Sequence, residues 1–479
     1  MNLEMPNLML VAPELFVLGM ACLVLVVDLF LTDAQRGFTY LLSQVTLLGA
    51  FLLTLWIHSG VARHTFGGSF VSDDMSQLLK LVVYVLTSAV FVYSRDYLRD
   101  RDLFKGEYFV LGLFGMLGMM IIISAHSLLT VYLGLELFSL SLYAMVAFDR
   151  DSIRASEAAM KYFVLSALAS GTLLYGLSLL YGVTGTLDMT QVATLAAHPA
   201  SDHRVLLLAL AFVLVGVAFK FGAAPFHMWI PDVYQGAPTS VTLYLSVAPK
   251  VAAFAMAVRL LVDTLGPLQA SWGPMLMVLA VLSLAVGNVI AIAQTNIKRM
   301  LAYSTIAHMG FLLLGLLAGT QGGYSAALFY AVVYALMSLG AFGVVILLSR
   351  AGFEAEELDD FKGLNQRSPW FAFMMLIVMF SMAGVPPTAG FYAKLAVLRA
   401  VVDVHQSWLA IVAVLFSLIG AFYYLRVVKL MYFDAAEENA QPLGSGLEMR
   451  LVLSANGLLL LALGIYPSVL LALCGVTIG

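Results

Sequence analysis

The stretch KFGAAPFHMWIPDVYQGAPTSVTLYLSVAPK, residues 220–250, decides the reading of the whole chain. It opens with Lys220 at the end of one apolar run and closes with Lys250 in the middle of the next. Between them lie Gly222, Pro225, His227, Pro231, Gly236 and Pro238. A charged group in hydrocarbon is costly and by default marks an ion or proton pathway. Helices broken by Gly and Pro at membrane depth carry the same implication, because freed backbone groups survive there only when buried in protein or lining a polar cavity. Two lysines around a broken helix therefore point to proton movement.

Composition sets the class. With 62% hydrophobic and only 11% charged residues in a chain of 479, the sequence is far more apolar than soluble domains, at roughly 45–50%. It reads as an all-α polytopic protein of the lipid bilayer. The first apolar run, from near Leu8, has no basic flank and no small-residue cleavage site behind it, so it reads as a retained span. A net charge of −4 implies no nucleic-acid partner. Cys22 and Cys474 sit in apolar runs at opposite ends of the chain, which excludes a disulfide framework and a cysteine-ligated iron–sulfur cluster. No phosphate loop, metal-ligand cluster or nucleophile constellation is present.

Apolar runs of about 20 residues, enough to cross a bilayer, occur fourteen times, near 9–31, 39–58, 74–94, 108–124, 126–148, 157–182, 204–223, 239–262, 274–296, 300–319, 323–349, 369–402, 407–433 and 449–475. Lys and Arg concentrate on cytoplasmic links. With the N-terminus outside, the inner links hold fifteen basic residues, among them Arg36, Arg101, Arg154, Lys298, Arg299, Arg350 and Arg426. The outer links hold four, Arg63, Arg204, Arg259 and Arg399. Both termini are thus expected on the outer side of the membrane.

Nineteen of the 24 basic residues are accounted for in this way, and the other five are Lys80, Lys161, Lys220, Lys250 and Lys394, all inside spans. Arg stays charged at any accessible pH, whereas the protonation of a buried Lys is set by its surroundings. A relay needs sites of that second kind.

A shift of 168 places AAMKYFVLSALAS (158–170) on AALFYAVVYALMS (326–338) with seven of thirteen positions identical. The matched spans are the sixth and eleventh, and an offset of five spans inverts a repeat in the membrane. The offset pairs the interrupted seventh span with the twelfth, which is interrupted at MAGVPPTAGFYAK (382–394) by Gly384, Pro386 and Pro387 ahead of Lys394. The expected organisation is a three-helix segment (1–107), two inverted five-helix repeats (108–262 and 274–433), each with one broken helix, and a last helix (434–479).

Glu136, central in the fifth span, reads as a carboxylate paired with Lys161 or Lys220. Lys250 is too central to snorkel. Lys220 and Lys394 flank breaks and could instead cap carbonyls there. Lys161 is close enough to the inner interface to snorkel, and Lys80, beside Asp73 and Asp74, reads as interfacial, as does Asp28. His227 and His308 are candidate relays, each weighed against a plainer role as a cap or a packed side chain. The acidic run EAEELDD (354–360) reads as a solvated or partner-facing surface, and GLFGMLG (112–118) and SALASG (166–171) as close helix packing.

These residues resemble a known family, the antiporter-like membrane subunits of respiratory complex I together with the related Mrp-type cation/proton antiporters. The resemblance covers the chain and rests on Glu136, Lys161, Lys220 before FGAAPFHMWIPDVYQGAP, Lys250, KRMLAYSTIAHMG, and Lys394 after GVPPTAGF. It implies that Glu136 pairs with Lys220 in one half-channel, that Lys161 modulates the pair, that Lys250 connects and that Lys394 exchanges protons at the far end. It also implies other membrane subunits as partners. NADH, FMN, iron–sulfur clusters and quinone would belong to partner subunits and no cofactor to this one. A component of a Na⁺/H⁺ antiporter and a non-pumping scaffold of the membrane arm are the other readings.

Overall fold

The computed structural model describes residues 6–198, 203–349, 351–436 and 446–478; Arg350, counted above as an inner basic residue, lies outside them. Its helices are α1 (Ala12–Asp28), α2 (Gly37–Ile57), α3 (Asp74–Arg99), α4 (Gly106–Ile123), α5 (Leu128–Val146), α6 (Ile153–Thr184), the short α7 (Met189–Ala196), α8 (His203–Phe221), α9 (Trp229–Gly236), α10 (Thr239–Ser246) and α11 (Ala248–Ala257). There follow α12 (Gln269–Ile292), α13 (Ile297–Leu317), α14 (Gln321–Leu348), the short α15 (Leu364–Arg367), α16 (Pro369–Ala383), α17 (Ala389–Asp403), α18 (Ser407–Tyr432), α19 (Leu447–Ile465) and α20 (Pro467–Ile478). One small hairpin, β1 (Arg63–Thr65) with β2 (Phe70–Ser72), precedes α3. Helix starts carry their expected signals. Asp73 caps α3 by accepting from the Ser76 N–H at 2.8 Å, and Asn296 caps α13 by accepting from Arg299 at 3.0 Å.

Thirteen helical segments among the described residues are long and apolar enough to cross a membrane, and each overlaps one of the expected runs. The run 369–402 is not one of them, because it is divided between α16 and α17, fifteen residues each. Burial sorts the helices. In the most apolar window of α13 every position is buried, against 28% in α18, whose Ile411, Leu415, Leu418 and Phe422 face outward. The centre is therefore α13, α14 and the α10–α11 segment, and that is where Lys250 and His308 sit. The sequence GLFGMLG does pack closely: a Cβ on Gly118 would lie 2.4 Å from the Phe138 backbone nitrogen of α5.

The two interrupted spans close in the same way. Gly222 follows α8 with φ +73°, and Gly384 follows α16 with φ +85°. In each, the next residue donates back five positions, Ala223 to the Ala218 carbonyl and Val385 to Phe380, both at 2.9 Å. This is the glycine-centred helix stop known as the Schellman motif. Pro231, expected to break the chain, instead lies in the first turn of α9, where a missing N–H costs nothing. The eighth span is divided too, at Val247 (φ −110°, ψ −91°), so Lys250 falls in the first turn of α11 rather than in mid-helix. A π-helical turn, Val258–Thr264, follows α11.

Two basic residues sit elsewhere than expected. Lys80 is buried and forms a 2.5 Å ion pair with the equally buried Glu14 of α1, its ammonium over the Phe70 ring. A desolvated pair of this kind fixes which turn of α1 faces which turn of α3. Arg259, counted as a loop residue, is buried in the π turn and bonds Asp73, Asp263 and the Ile123 carbonyl at the end of α4. Burial alone would raise the Asp73 carboxyl, but the Arg259 guanidinium and the Ser76 bonds hold it below the usual carboxylate range.

Alanine at Gly222 or Gly384 would force an L side chain into the left-handed region, at a cost of about 1–3 kcal/mol, and at Gly222 its Cβ would lie 1.8 Å from Ile230 Cδ1. Both variants are expected to lower the thermal unfolding midpoint of the detergent-purified protein. Gly171→Ala, with nothing within 4 Å of the added Cβ, serves as control and should not. Equal midpoints for all three would count against the helix-stop reading.

Candidate functional site, a row of buried lysines at two helix breaks

The last four carbonyls of a helix have no partner within it. At α8, inside a membrane protein, each finds one. Ala218 O receives the Ala223 N–H, and Phe219 O receives the Trp229 indole N–H at 3.0 Å. Lys220 O and Phe221 O both receive the Lys250 ammonium, at 3.3 and 3.0 Å. At α16 the Ala383 carbonyl receives the Lys394 ammonium at 2.9 Å. Lys250 and Lys394 therefore occupy matching places, each an ammonium at the carbonyl end of a helix that stops on a left-handed glycine. Each also lies about one ring radius beyond contact with an aromatic face, Trp229 at 5.2 Å and Phe311 at 5.1 Å. The helix dipole favours a cation at such an end.

Lys220 does something else. Its ammonium turns away from the break and donates to Ser139 Oγ of α5 at 2.8 Å and Ser166 Oγ of α6 at 3.1 Å. Carbonyl capping, foreseen for Lys220 and Lys394, thus belongs to Lys250 and Lys394. Glu136 lies one turn before Ser139, near enough to act on Lys220 by charge. Among the described residues no ion pair within 4.0 Å joins it to any lysine, and its Oε1 is buried without a hydrogen-bond partner. Lys394 has a hydroxyl partner of its own in Ser417, at 2.8 Å. Hydroxyl and carbonyl oxygens bond an ammonium while carrying no net charge, so no fixed anion locks the proton in place.

His308 sits at the centre of α13, fully enclosed. Its Nδ1 meets Tyr330 Oη at 2.7 Å and its Nε2 meets Tyr424 Oη at 3.1 Å, and Lys394 acts on it electrostatically. It belongs to the row. His227 does not: it lies on the α8–α9 break beside exposed Pro225 and Met228, with Nδ1 unpartnered. Pro386 and Pro387 are likewise exposed at the second break, and Pro238 precedes α10 as its N-cap.

Lys161 is half exposed at the end of the molecule where Arg101, Arg154, Lys298 and Arg299 gather. It pairs with Glu157 at 2.8 Å and Asp232 at 2.9 Å. The acidic run 354–360, read as a solvated or partner-facing surface, holds that end together. Glu354 bonds Arg101, Tyr97 and Thr239, and Glu356 pairs with Arg154 and Lys298 at 3.2 Å each. Sequence reasoning does not single out Ser139, Ser417 or Tyr424, and it takes Ser166 for helix packing. A hydroxyl one turn from a buried charge is the signal that points to Ser139.

Exchanging Ser139 and Ser166 together for Ala leaves the Lys220 ammonium buried without its two acceptors, a loss of about 1–3 kcal/mol per unmet group. The melting temperature of the assembled protein should fall, and adding Lys220→Met to the double variant should restore part of it. A triple variant less stable than the double would contradict the assignment.

Residues 125–420 match the family model described as NADH:quinone oxidoreductase/Mrp antiporter, TM. The chain is 65% identical over 474 residues, 99% of its length and 98% of the relative's, to NADH-quinone oxidoreductase subunit N of Thioalkalivibrio sulfidiphilus. It superposes with a TM-score of 0.83 and 30% identity on a chain of respiratory complex I from Thermus thermophilus with bound aureothin, covering 96% of this chain and 98% of that one. A chain of the Mrp complex from Dietzia sp. shares the fold at TM-score 0.83 and 22% identity, covering 100% and 97%.

Proposed function

Because the chain belongs to the NADH:quinone oxidoreductase/Mrp antiporter family, we propose that it is a proton-translocating membrane subunit of an NADH:quinone oxidoreductase. One observation carries the reading: the Lys250 ammonium rests on the backbone carbonyl of Lys220 while the Lys220 ammonium is held by two hydroxyls, so two buried lysines without a contacting carboxylate meet at one broken helix. The row runs from Glu136 and Lys220 through Lys250 to His308 and Lys394. Lys161 stands at its half-exposed end. NADH, FMN, iron–sulfur clusters and quinone are held by partner subunits, and the neighbouring membrane subunits are the direct contacts.

The basic end faces the cytoplasm, and both termini lie on the outer side, as the fifteen-to-four bias of Lys and Arg supports. Counting α16 and α17 as one crossing gives fourteen. The two halves, 108–262 and 274–433, are an inverted repeat; the matching glycine stops and matching ammonium caps add to the seven shared positions. Lys250 is the counterpart of Lys394 in place, although one comes from the helix after its break and the other from within the broken span. A charge change arriving from the redox subunits shifts the hold of each ammonium in turn, drawing a proton from one side and releasing it on the other.

The test uses the whole complex in proteoliposomes. Lys220→Met, Lys250→Met and Lys394→Met are expected to assemble and to lose most of both quinone reduction and proton transfer. Undiminished rates in all three would leave a scaffold. Purification of the chain without hydrophilic redox subunits, with proton movement driven by a sodium gradient, would favour the antiporter instead.

A further inference from the structure

Asp232 lies in the PDVYQGAP segment of α9, between residues already placed in the row, and nothing above gives it a task. Its Oδ2 accepts from Lys161 of α6 at 2.9 Å, and its Oδ1 accepts from Arg299 of α13 at 2.8 Å. Arg299 is further held by Gln235 Oε1 at 3.1 Å. One carboxylate thus joins a lysine of the first half to an arginine of the second. Beside it opens a cavity of about 190 Å³ lined by Arg154, Glu157, Lys161, Asp232 and Gln235. The volume holds several waters.

Behind this cavity the next residue of α6, Tyr162, stacks on Trp229 with centroids 4.8 Å apart. The Lys250 ammonium lies 5.2 Å from the Trp229 ring, and Lys220 is bonded to Ser166, one turn further along α6. The charges that face the cavity are Arg154, Glu157, Lys161 and Asp232, with Arg299 behind Asp232. Without Asp232, Lys161 keeps its pair with Glu157, and Arg299 keeps the Gln235 amide and the Tyr303 ring.

We propose that Asp232 is a positioning residue for proton uptake: it holds the Lys161 ammonium at the mouth of this cavity and, through Arg299, ties that hold to the second half of the bundle. The inference rests on the proton-translocating reading above. Held at the mouth, Lys161 meets water and stays clear of Lys220. A small shift of α13 moves Arg299, changes how much of the carboxylate Lys161 keeps, and so links entry at one half to the state of the other. Two cations competing for one anion form an element with two arrangements, and the exposed side of this pair lets it change without moving the core.

The experiment compares Asp232→Asn, Asp232→Glu, Lys161→Met, Arg299→Gln, Lys220→Met and the double Asp232→Asn/Lys161→Met in intact complex reconstituted into liposomes. Quinone reduction and proton transfer are read together. Asp232→Asn is expected to lower proton transfer several-fold, Asp232→Glu to restore most of it, and the double to be no worse than Lys161→Met, because the acid acts through the lysine. If the double falls by the product of the two single losses, or if Asp232→Asn matches Arg299→Gln while Lys161→Met transfers at the full rate, the acid is only a tie between halves and the proposal is overturned. Should Asp232→Asn not assemble, the same comparison is made with Asp232→Glu and its double with Lys161→Met. Full transfer in Lys220→Met would instead overturn the functional reading on which the proposal stands.

Discussion

A backbone carbonyl with no partner cannot be left in hydrocarbon, and this constraint organises the molecule. Stopping a helix in mid-membrane exposes four of them. At α8 they are met by a backbone N–H, an indole and a lysine ammonium. The lysine is thus needed for the break and the break for the lysine: the carbonyls give an ammonium a home without a counter-ion, and the ammonium lets the helix stop. The second break repeats the arrangement with Lys394 on Ala383. Each cation is held mainly by dipoles, a softer hold than a carboxylate gives, and a proton carrier requires a hold that it can lose.

Where true ion pairs do occur, they lie away from Lys220, Lys250 and Lys394. Glu14 with Lys80 fixes α1 against α3, Arg259 with Asp73 pins the π turn to the start of α3, and Glu354 and Glu356 gather the basic end. The division makes physical sense. The paired charges tie helix to helix, whereas the ammonium groups of Lys220, Lys250 and Lys394 are left with neutral oxygens. Glu136 is the exception in sign, an acid with an unmet oxygen close to Lys220.

Much of this was legible in the sequence, because hydrocarbon punishes misplacement. Length and apolarity located thirteen spans, and Gly and Pro marked the breaks after Lys220 and before Lys394. What was not legible depended on rotation about helix axes. In a helix that is apolar all round, as α13 is, no periodicity tells which way His308 points or that Tyr330 and Tyr424 meet it. For the same reason Ser166 passed for packing, and Lys80 passed for an interfacial residue when its partner, Glu14, is distant in sequence. Pro231 was misjudged for a local reason: the difference between a proline that breaks a helix and one that begins it is two or three residues. Arg259 counted as a loop residue because a π turn has no sequence signature that a hydropathy reading detects.

The acceptors for Lys250 are main chain, and one of them, beside the Phe221 carbonyl, is the main chain of Lys220 itself. Any exchange of the Lys220 side chain leaves that acceptor where it was, so side-chain substitution at 220 does not report on what holds Lys250. The two sites are coupled through a peptide group, and side-chain scanning is blind to that coupling. Only a change to the backbone itself, such as an ester in place of the amide that carries this carbonyl, would weaken the acceptor and expose the link.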